Sequence, residues 1–413
     1  MIRKTAAIAI TLGMLVAACQ LVAGIERVDK DIAAADVTTD AGNPDPGAIP
    51  DPCQHARPPG KPSRDDDPTR ELPAIVLAMK QFSLKDEDNI QPGFDLDGVC
   101  TCDTRPGSAD GGASSCVRKG DPICDADGGV DNSFAIAAKS FDIGSFDIDK
   151  FAGVNESIAR GRGGGLFFIR KYNGRANDLE VEVGLIGAYG VVSSRCPESQ
   201  PDDGGMPTYS PGWCGDDEWT YAPKTMVGGF PIVFGSGYVH DYHLVIRVDR
   251  SVTVPFGEIG LSMNSPVFVA TLVPLDEHMA PRDPNQPPTA SQERFYAIED
   301  GTIAGRVSAT DLLSAAGAAA TPAGFGQGYV CQTPGVYELV RGQICQALDV
   351  AQSPNLDFQP GYGCDAVSMS IRFSAQPARL GEGIDPSNPP NPCIAVDGGP
   401  IDSGNYIKKY GCD

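Results

Sequence analysis

The clearest pattern of apolar and polar positions lies between residues 166 and 192. Residues 166–172 are aromatic and apolar, and Asn173-Gly174 is a dipeptide typical of tight turns. After the turn, apolar residues alternate with acidic ones: Leu179, Val181, Val183 and Leu185 with Asp178, Glu180 and Glu182. Because successive residues of a strand point to opposite faces, this segment predicts a half-buried antiparallel strand with one acidic face.

Similar alternation, or a short apolar run, recurs at residues 74–79, 244–248, 267–273 and 367–373. Many strands joined by Gly- and Pro-rich connections predict a mainly β fold. We expect an antiparallel β-sandwich of the jelly-roll or concanavalin-like kind, stapled by disulfides.

Two stretches near the C-terminus have apolar residues at helical spacing, at 308–316 and 337–348. Because a strand pattern follows them, they are predicted to be a small helical insertion at one end of the sandwich. A separate C-terminal α+β subdomain is the competing interpretation.

Residues 1–18 have the composition of a lipoprotein signal peptide. Arg3 and Lys4 precede a short uncharged run, and two alanines stand directly before Cys19. The run is too short for a mature transmembrane helix, which needs about 20 apolar residues. Cleavage before Cys19 would leave its sulfur to carry lipid, which predicts a membrane-anchored protein of the bacterial cell envelope, folded in the periplasm or at the cell surface. The alternative is an ordinary secretory signal, with Cys19 incidental.

Composition divides the rest of the chain into three regions. Residues 19–71 are rich in Asp, Pro and Ala and poor in large apolar residues, which predicts a disordered tether. Residues 72–292 are the predicted sandwich with its disulfide-rich loops. Residues 293–413 comprise the helical insertion, the returning strand and a Cys-rich C-terminal tail.

The chain is strongly acidic, with 54 acidic and 32 basic residues and a net charge of −22. An acidic surface repels phosphate backbones, so nucleic acid is not an expected partner. The simplest interpretation of this charge is a well-solvated surface.

Of the thirteen cysteines, an even number remains once Cys19 is assigned to lipid. An even number in an exported protein indicates disulfides. The pairs that would close short loops are Cys196 with Cys214, Cys331 with Cys345, and Cys393 with Cys412. Cys100 and Cys102 lie two apart, so on a strand they need different partners. The candidates are Cys53, Cys116 and Cys124; zinc is the alternative for this group, although it has no Cys-x-x-Cys pair.

The acidic face formed by Asp178, Glu180 and Glu182 is the strongest candidate for catalysis. Neighbouring carboxylates can divide acid and base roles by raising one another's pKa. The strand resembles the acidic strand of concanavalin-like sandwich glycosidases, although the order of its residues differs. The simpler interpretation is the solvated face of a half-buried strand, because a glycosidase also needs a cleft and sugar-binding aromatics.

Five aspartates in Gly-rich stretches are candidate calcium ligands: Asp95, Asp97, Asp125, Asp127 and Asp131. Calcium prefers carboxylate and backbone carbonyl oxygens. Neither stretch completes a helix-loop-helix calcium motif with its terminal glutamate. The alternative is that these residues only form turns between disulfides.

Trp213 and Trp219, with Tyr209 and Tyr221, form an aromatic cluster suited to contact a sugar ring. Their alternative role is to cover one end of the core. His240 and His243 lie three apart on one predicted strand, so they should point to opposite faces and not share a metal.

Four segments of the chain carry a family resemblance. They are Leu21–Glu26, Gly98–Cys102, Tyr172–Gly174 with Asn177–Asp178, and Asp300–Arg306. Together with the lipobox, which is the short segment of small residues that ends at Cys19, they resemble an uncharacterised family of cysteine-rich bacterial envelope lipoproteins. The resemblance spans most of the mature chain and implies lipidation and export, but no catalytic residues.

Together these patterns favour an envelope lipoprotein that serves as a non-catalytic binding or structural module. Its expected partners are the membrane, through the lipid, and a glycan or another envelope protein. The alternative is a carbohydrate-active hydrolase that uses the acidic strand.

Overall fold

The computed structural model describes residues 56–84, 91–104, 112–140, 152–201, 209–232, 234–256, 259–319, 328–384, 393 and 411–412. The predicted signal peptide, the lipidation site at Cys19 and the tether up to residue 55 lie outside the described residues. Within the described ranges, no helix combines the length and the apolar character needed to span a bilayer.

Strands dominate the described part of the chain. They are β1 (Ile75–Ser83), β2 (Gly164–Arg170), β3 (Asp178–Ser194), β4 (Asp217–Tyr221), β5 (Met226–Val227), β6 (Phe230–Pro231), β7 (Phe234–His240), β8 (His243–Arg247), β9 (Val252–Phe256), β10 (Ile259–Pro274), β11 (Tyr296–Ser308), β12 (Ala366–Pro377) and β13 (Arg379–Gly383). The α-helices are α1 (Ser133–Ser140), α2 (Ala152–Ala159), α3 (Ala309–Ala318) and α4 (Pro334–Gln346).

Eight strands close into an antiparallel barrel. Their order is β3-β2-β1-β12-β11-β10-β8-β7, and β7 pairs back with β3. The length of β3, 17 residues, allows this closure. Its residues 178–184 pair with β7, 182–188 with β2 and 188–194 with β4. β4 and β13 extend the sheet from β3, and β9 pairs with β10.

The predicted mainly β, antiparallel character is confirmed, but the predicted sandwich is wrong, because the main sheet forms one closed ring instead of two facing layers. In both architectures each strand turns one face to a core, so both produce the same alternation of residues. The pairing of β3 with β7 distinguishes them, and alternation within a strand does not specify its partner.

Side chains fill the barrel interior. The ring of Phe167 on β2 lies 5.1 Å from that of Phe373 on β12 and 6.0 Å from that of Phe268 on β10, measured between centroids. Gly301 on β11 leaves room for the Phe373 ring, since a Cβ there would lie 2.5 Å from it. An eight-stranded barrel is just wide enough to be filled in this way. The interior is therefore a packed core and not a channel.

Helices cover parts of the outer wall. α1 packs on β12, and α2 packs on β1. α3 and α4 pack against each other and lie in sequence between β11 and β12, which are neighbours in the barrel. The two helices are therefore inserted in the chain between two adjacent strands of the barrel.

Residues 56–71, assigned by composition to the tether, lie against the barrel. The carbonyl of Pro59 accepts a hydrogen bond from the Tyr238 hydroxyl, and the carbonyl of Gly60 accepts one from the His240 ring. The ordered part of the chain therefore includes these residues, ahead of the predicted start of the folded region.

Candidate functional site

Five disulfides link described cysteines: Cys102–Cys124, Cys116–Cys364, Cys196–Cys214, Cys331–Cys393 and Cys345–Cys412. Cys100 is also disulfide-bonded. Disulfide chemistry, and not zinc, therefore accounts for Cys100, Cys102, Cys116 and Cys124. The short-loop prediction holds for Cys196 with Cys214.

The predicted pairs Cys331–Cys345 and Cys393–Cys412 are wrong. Helix α4, with 13 residues, begins shortly after Cys331 and contains Cys345 in its last turn. At about 1.5 Å per residue, such a helix is about 20 Å long, whereas disulfide-bonded Cα atoms lie within about 7 Å. Cys331 and Cys345 therefore bond to cysteines nearer the C-terminus, Cys393 and Cys412.

Three of the five predicted calcium ligands converge in the Cys-rich loops. Carboxylate oxygens of Asp95, Asp97 and Asp131 all lie within 4.8 Å of one another. The main chain holds each of them: Asp95 accepts from the Gly98 N–H at 2.6 Å, and Asp131 accepts from the Leu96 N–H at 2.6 Å. We call these three residues, with Asp125 beside them, the aspartate cluster.

Asp97 and Asp125 complete this arrangement from two loops. Asp97 accepts hydrogen bonds from the Val99 N–H at 3.1 Å and the Ser115 hydroxyl at 2.6 Å. Asp125 accepts from the Thr101 N–H at 2.6 Å. The disulfide between Cys102 and Cys124 joins the two loops directly beside these contacts.

Three members of the aspartate cluster, Asp97, Asp125 and Asp131, are costly to ionise. Burial, reinforced by the neighbouring carboxylates, raises the pKa of Asp97 to about 6 and that of Asp125 to about 7. The same two causes raise the pKa of Asp131 well above its usual range. Buried carboxylates at this spacing are neutralised either by protons or by a bound cation. Calcium is the cation that such a set of oxygens suits.

The fifth candidate, Asp127, does not belong to the cluster. It lies exposed in the turn that follows Cys124, outside the group of converging carboxylates. A residue that sequence reasoning missed lies nearby: burial raises the pKa of Asp349, which contributes to the repulsion felt by Asp125 and Asp131. Asp349 accepts hydrogen bonds from Ser133 and Ser368. It comes from far along the chain, so no local motif could indicate it.

The carboxyl groups of the acidic strand lie in different environments. Val181, Val183 and Leu185 are buried, as alternation predicts, but Leu179 is only half-buried and Asp178 is buried instead of facing solvent. On the other face, Glu182 pairs with Arg170 and with Lys171, at 2.8 Å from the latter, and these cations lower the pKa of Glu182. Glu180 is 71% exposed and pairs with Lys171.

Asp178 occupies a different environment from the two glutamates. Asp178 is 2% exposed, and its carboxylate accepts hydrogen bonds from the N–H groups of Asn173, at 2.7 Å, and Glu180, at 3.0 Å. Both oxygens thus fasten the hairpin turn before β3. The carboxylate is satisfied by the backbone and inaccessible to a substrate.

The tryptophan pair covers the core. Trp219 on β4 is 1% exposed and packs over Gly164, so it cannot contact a sugar. Trp213 lies 6.1 Å from Trp219 between ring centroids, with the Lys80 ammonium 5.5 Å from its own ring centre. Of the two, only Trp213 keeps a partly exposed surface.

The two histidines occupy neighbouring strands. β7 ends at His240 and β8 begins at His243, and the register pairs them directly. Between them, Asp241 and Tyr242 form a tight turn with φ values of 48° and 64°. This left-handed conformation costs residues other than glycine about 1–2 kcal/mol each. The expectation of opposite faces is therefore wrong, because directly paired residues share a face.

Comparisons with known proteins add no family to these observations. No protein-family model, no curated protein and no solved structure matches the chain. The resemblance to envelope lipoproteins therefore stays a prediction.

Proposed function

We propose that this chain is a lipid-anchored protein of the bacterial envelope whose barrel is a non-catalytic binding or structural module. The anchor rests on the two alanines before Cys19 and the basic, then apolar, segment ahead of them. The partners that we propose are the membrane, through the lipid, and a glycan or another envelope protein, through the loops.

The observation that carries the non-catalytic assignment is the environment of the acidic strand. A glycosidase needs one carboxylic acid with a raised pKa and a second carboxylate, both facing the substrate. Here the carboxyl with the raised pKa, Asp178, is buried, and Glu182 is held by two cations. The hydrolase alternative therefore cannot use Asp178, which is buried, or Glu182, which is held in ion pairs.

The rest of the described structure supports a rigid scaffold. The interior is packed with side chains and offers no lumen, and disulfides tie the loops to one another. Scaffolds of this kind present binding residues on loops held by a stable sheet.

The anchor is tested by labelling bacteria that produce the full chain with a fatty-acid analogue. We expect the wild-type protein to carry the label and to fractionate with membranes, and Cys19→Ala to lose both properties. A label that persists in Cys19→Ala would contradict the anchor.

The binding role is tested with the mature chain carrying no lipid. We expect it to retain a glycan on an array, or an envelope protein in a pulldown, and to leave polysaccharides intact. Hydrolysis by the wild-type chain would instead favour the alternative function.

A further inference from the structure

A second cluster of chemically active side chains lies at the tip of the β7–β8 hairpin, on the barrel wall. His240 and His243 face each other across the two strands, and Asp241 lies in the turn between them. Side chains of directly paired residues have Cβ atoms about 5 Å apart. Two imidazoles are therefore presented together at one end of a rigid element.

The hydrogen bonds of both rings use the same nitrogen. The Nδ1 of His240 lies 2.6 Å from the carbonyl oxygen of Gly60. The Nδ1 of His243 lies 3.0 Å from the carbonyl oxygen of Asp241 and 3.3 Å from that of His240. Since a carbonyl oxygen only accepts, Nδ1 carries the hydrogen in both rings. The nitrogen that can bind a metal is then the Nε2 of each ring.

This arrangement is the one that metal-binding histidines use. A ligating histidine usually donates its second ring N–H to a backbone carbonyl or a carboxylate, which fixes the tautomer and the orientation of the ring. In this hairpin, carbonyl oxygens of Gly60 and Asp241 fix the tautomer of His240 and His243, so Nε2 is the nitrogen of each ring left for a metal.

A carboxylate lies beside the imidazoles. The Oδ2 of Asp241 is 3.8 Å from the Nε2 of His240, and the side chains of His240 and Asp241 are 37% and 77% exposed. Among the described residues, only Asp95, Asp97 and Asp131 have donor atoms that all lie within 4.8 Å of one another. The Nε2 of His240 and the Oδ2 of Asp241 already lie within that distance, so metal binding requires His243 to turn toward them and to exchange its hydrogen bonds to the main chain for a bond to the metal.

We propose that His240, His243 and Asp241 bind a divalent transition-metal ion, with Zn²⁺ and Cu²⁺ as the best matches, and that water completes the coordination. Imidazole nitrogens favour these ions over calcium, which takes oxygen ligands. The hairpin and the aspartate cluster therefore differ in the metal that they select. The proposal does not depend on the anchor or on the non-catalytic role.

The test is a Zn²⁺ titration of the full mature chain, purified without a histidine tag and held in saturating calcium. Calcium occupies oxygen sites, so the titration reports on nitrogen ligands. The variants are His240→Ala and His243→Ala, with His278→Ala as the matched control, because His278 is exposed in a loop outside the hairpin. Each variant is also unfolded thermally without metal to confirm that its fold is unchanged.

We expect one Zn²⁺ to bind, with affinity reduced about tenfold or more in each hairpin variant and unchanged in His278→Ala. The scale follows from losses of about 10–100-fold when even the hydrogen-bond partners of metal ligands are removed. With Cu²⁺, electron paramagnetic resonance should show coupling to imidazole nitrogen that weakens in His240→Ala and in His243→Ala and disappears when both histidines are replaced. No binding by the wild-type chain, or equal affinity in the wild type and both hairpin variants, would overturn the proposal.

Discussion

Arg306 of β11 and Asp357 form a buried two-point ion pair on the outer wall of the barrel, with Nη1–Oδ1 at 2.7 Å and Nη2–Oδ2 at 2.6 Å. The same guanidinium donates to the carbonyl of Leu96 at 2.7 Å and to that of Ala351 at 2.9 Å. Leu96 lies between Asp95 and Asp97, so this arginine connects the barrel wall to the loop that carries the aspartate cluster.

Asp357→Asn should destabilise the fold by about 3–5 kcal/mol, because it leaves the Arg306 guanidinium buried without its counter-charge. Urea unfolding followed by circular dichroism measures the difference. Replacing both partners, as Arg306→Met with Asp357→Leu, should cost less than Asp357→Asn, because no unpaired charge remains. If Asp357→Asn costs less than about 1 kcal/mol, in the range of exposed pairs, the pair does not hold the wall and loop together.

The aspartate cluster should make stability depend on pH when metal is removed by a chelator. Asp97 and Asp125 have raised pKa values in the folded state, about 6 and about 7, so the folded protein holds their protons more tightly than the unfolded chain. Their contribution to stability is fully present below about pH 4 and is lost as pH rises through 6 and 7. The loss should amount to a few kcal/mol.

Other titrating groups also contribute, so the measured quantity is the difference between variants. Urea unfolding from pH 4 to 7.5 should show that Asp125→Asn gains stability relative to wild type as pH rises. Asp127→Asn, which alters an exposed neighbour outside the cluster, should follow the wild type. A constant difference between Asp125→Asn and wild type would mean that Asp125 does not titrate as described.

Calcium should offset the loss of folding stability at neutral pH, because the bound cation neutralises the carboxylates in place of the protons. A ligand that binds only the folded state stabilises it by about 2.7 kcal/mol at one hundred times its dissociation constant, so calcium at pH 7 should raise the melting temperature by several degrees. Protons compete for the same carboxylates, so the rise should shrink at pH 5. Asp131→Asn should lose the effect and Asp127→Asn should keep it. An unchanged melting temperature in the wild type would leave these aspartates as turn formers.

The two faces of β3 should respond differently to substitution. Glu182→Gln weakens partly exposed ion pairs with Arg170 and Lys171, which should cost less than about 1 kcal/mol. Val183→Ala removes methyl groups from the barrel interior and should cost about 1–3 kcal/mol by the cavity argument. Chemical unfolding measures the loss of stability in both variants. We expect no polysaccharide hydrolysis from the wild type or from either variant. Polysaccharide hydrolysis that disappears in folded Glu182→Gln would make the chain an enzyme.

The sequence predicts the local features of this fold well. Strand alternation depends only on which residues face a core, and it places Val181, Val183 and Leu185 correctly. The closed barrel depends on the pairing of β3 with β7, a contact that no local pattern encodes. The disulfide error has a similar cause: loop length favours Cys331 with Cys345, and the rigid helix between them excludes that pair.

The candidate sites show the same division between local and distant contacts. The Gly-rich stretches around Asp95, Asp97 and Asp131 indicate these residues as candidate calcium ligands, and the fold places their carboxylates close together. Arg306 and Asp349 reach the same region from strands and loops far along the chain, so spacing does not indicate them. The histidine pair was missed because Asp241-Tyr242 is not a dipeptide that usually forms a two-residue hairpin turn.

The pairing of β1 with β12 has a consequence for how the protein is made. Residues 75–83 lie between β2 and a strand that begins at residue 366, so the ring has a gap until nearly the whole chain is present. A polypeptide delivered N-terminus first would spend its synthesis with the edges of β1 and β11 unpaired and its apolar inner face uncovered. Such edges promote aggregation. A chain cut short before Ala366 should therefore precipitate or be degraded, and should not form a smaller folded unit.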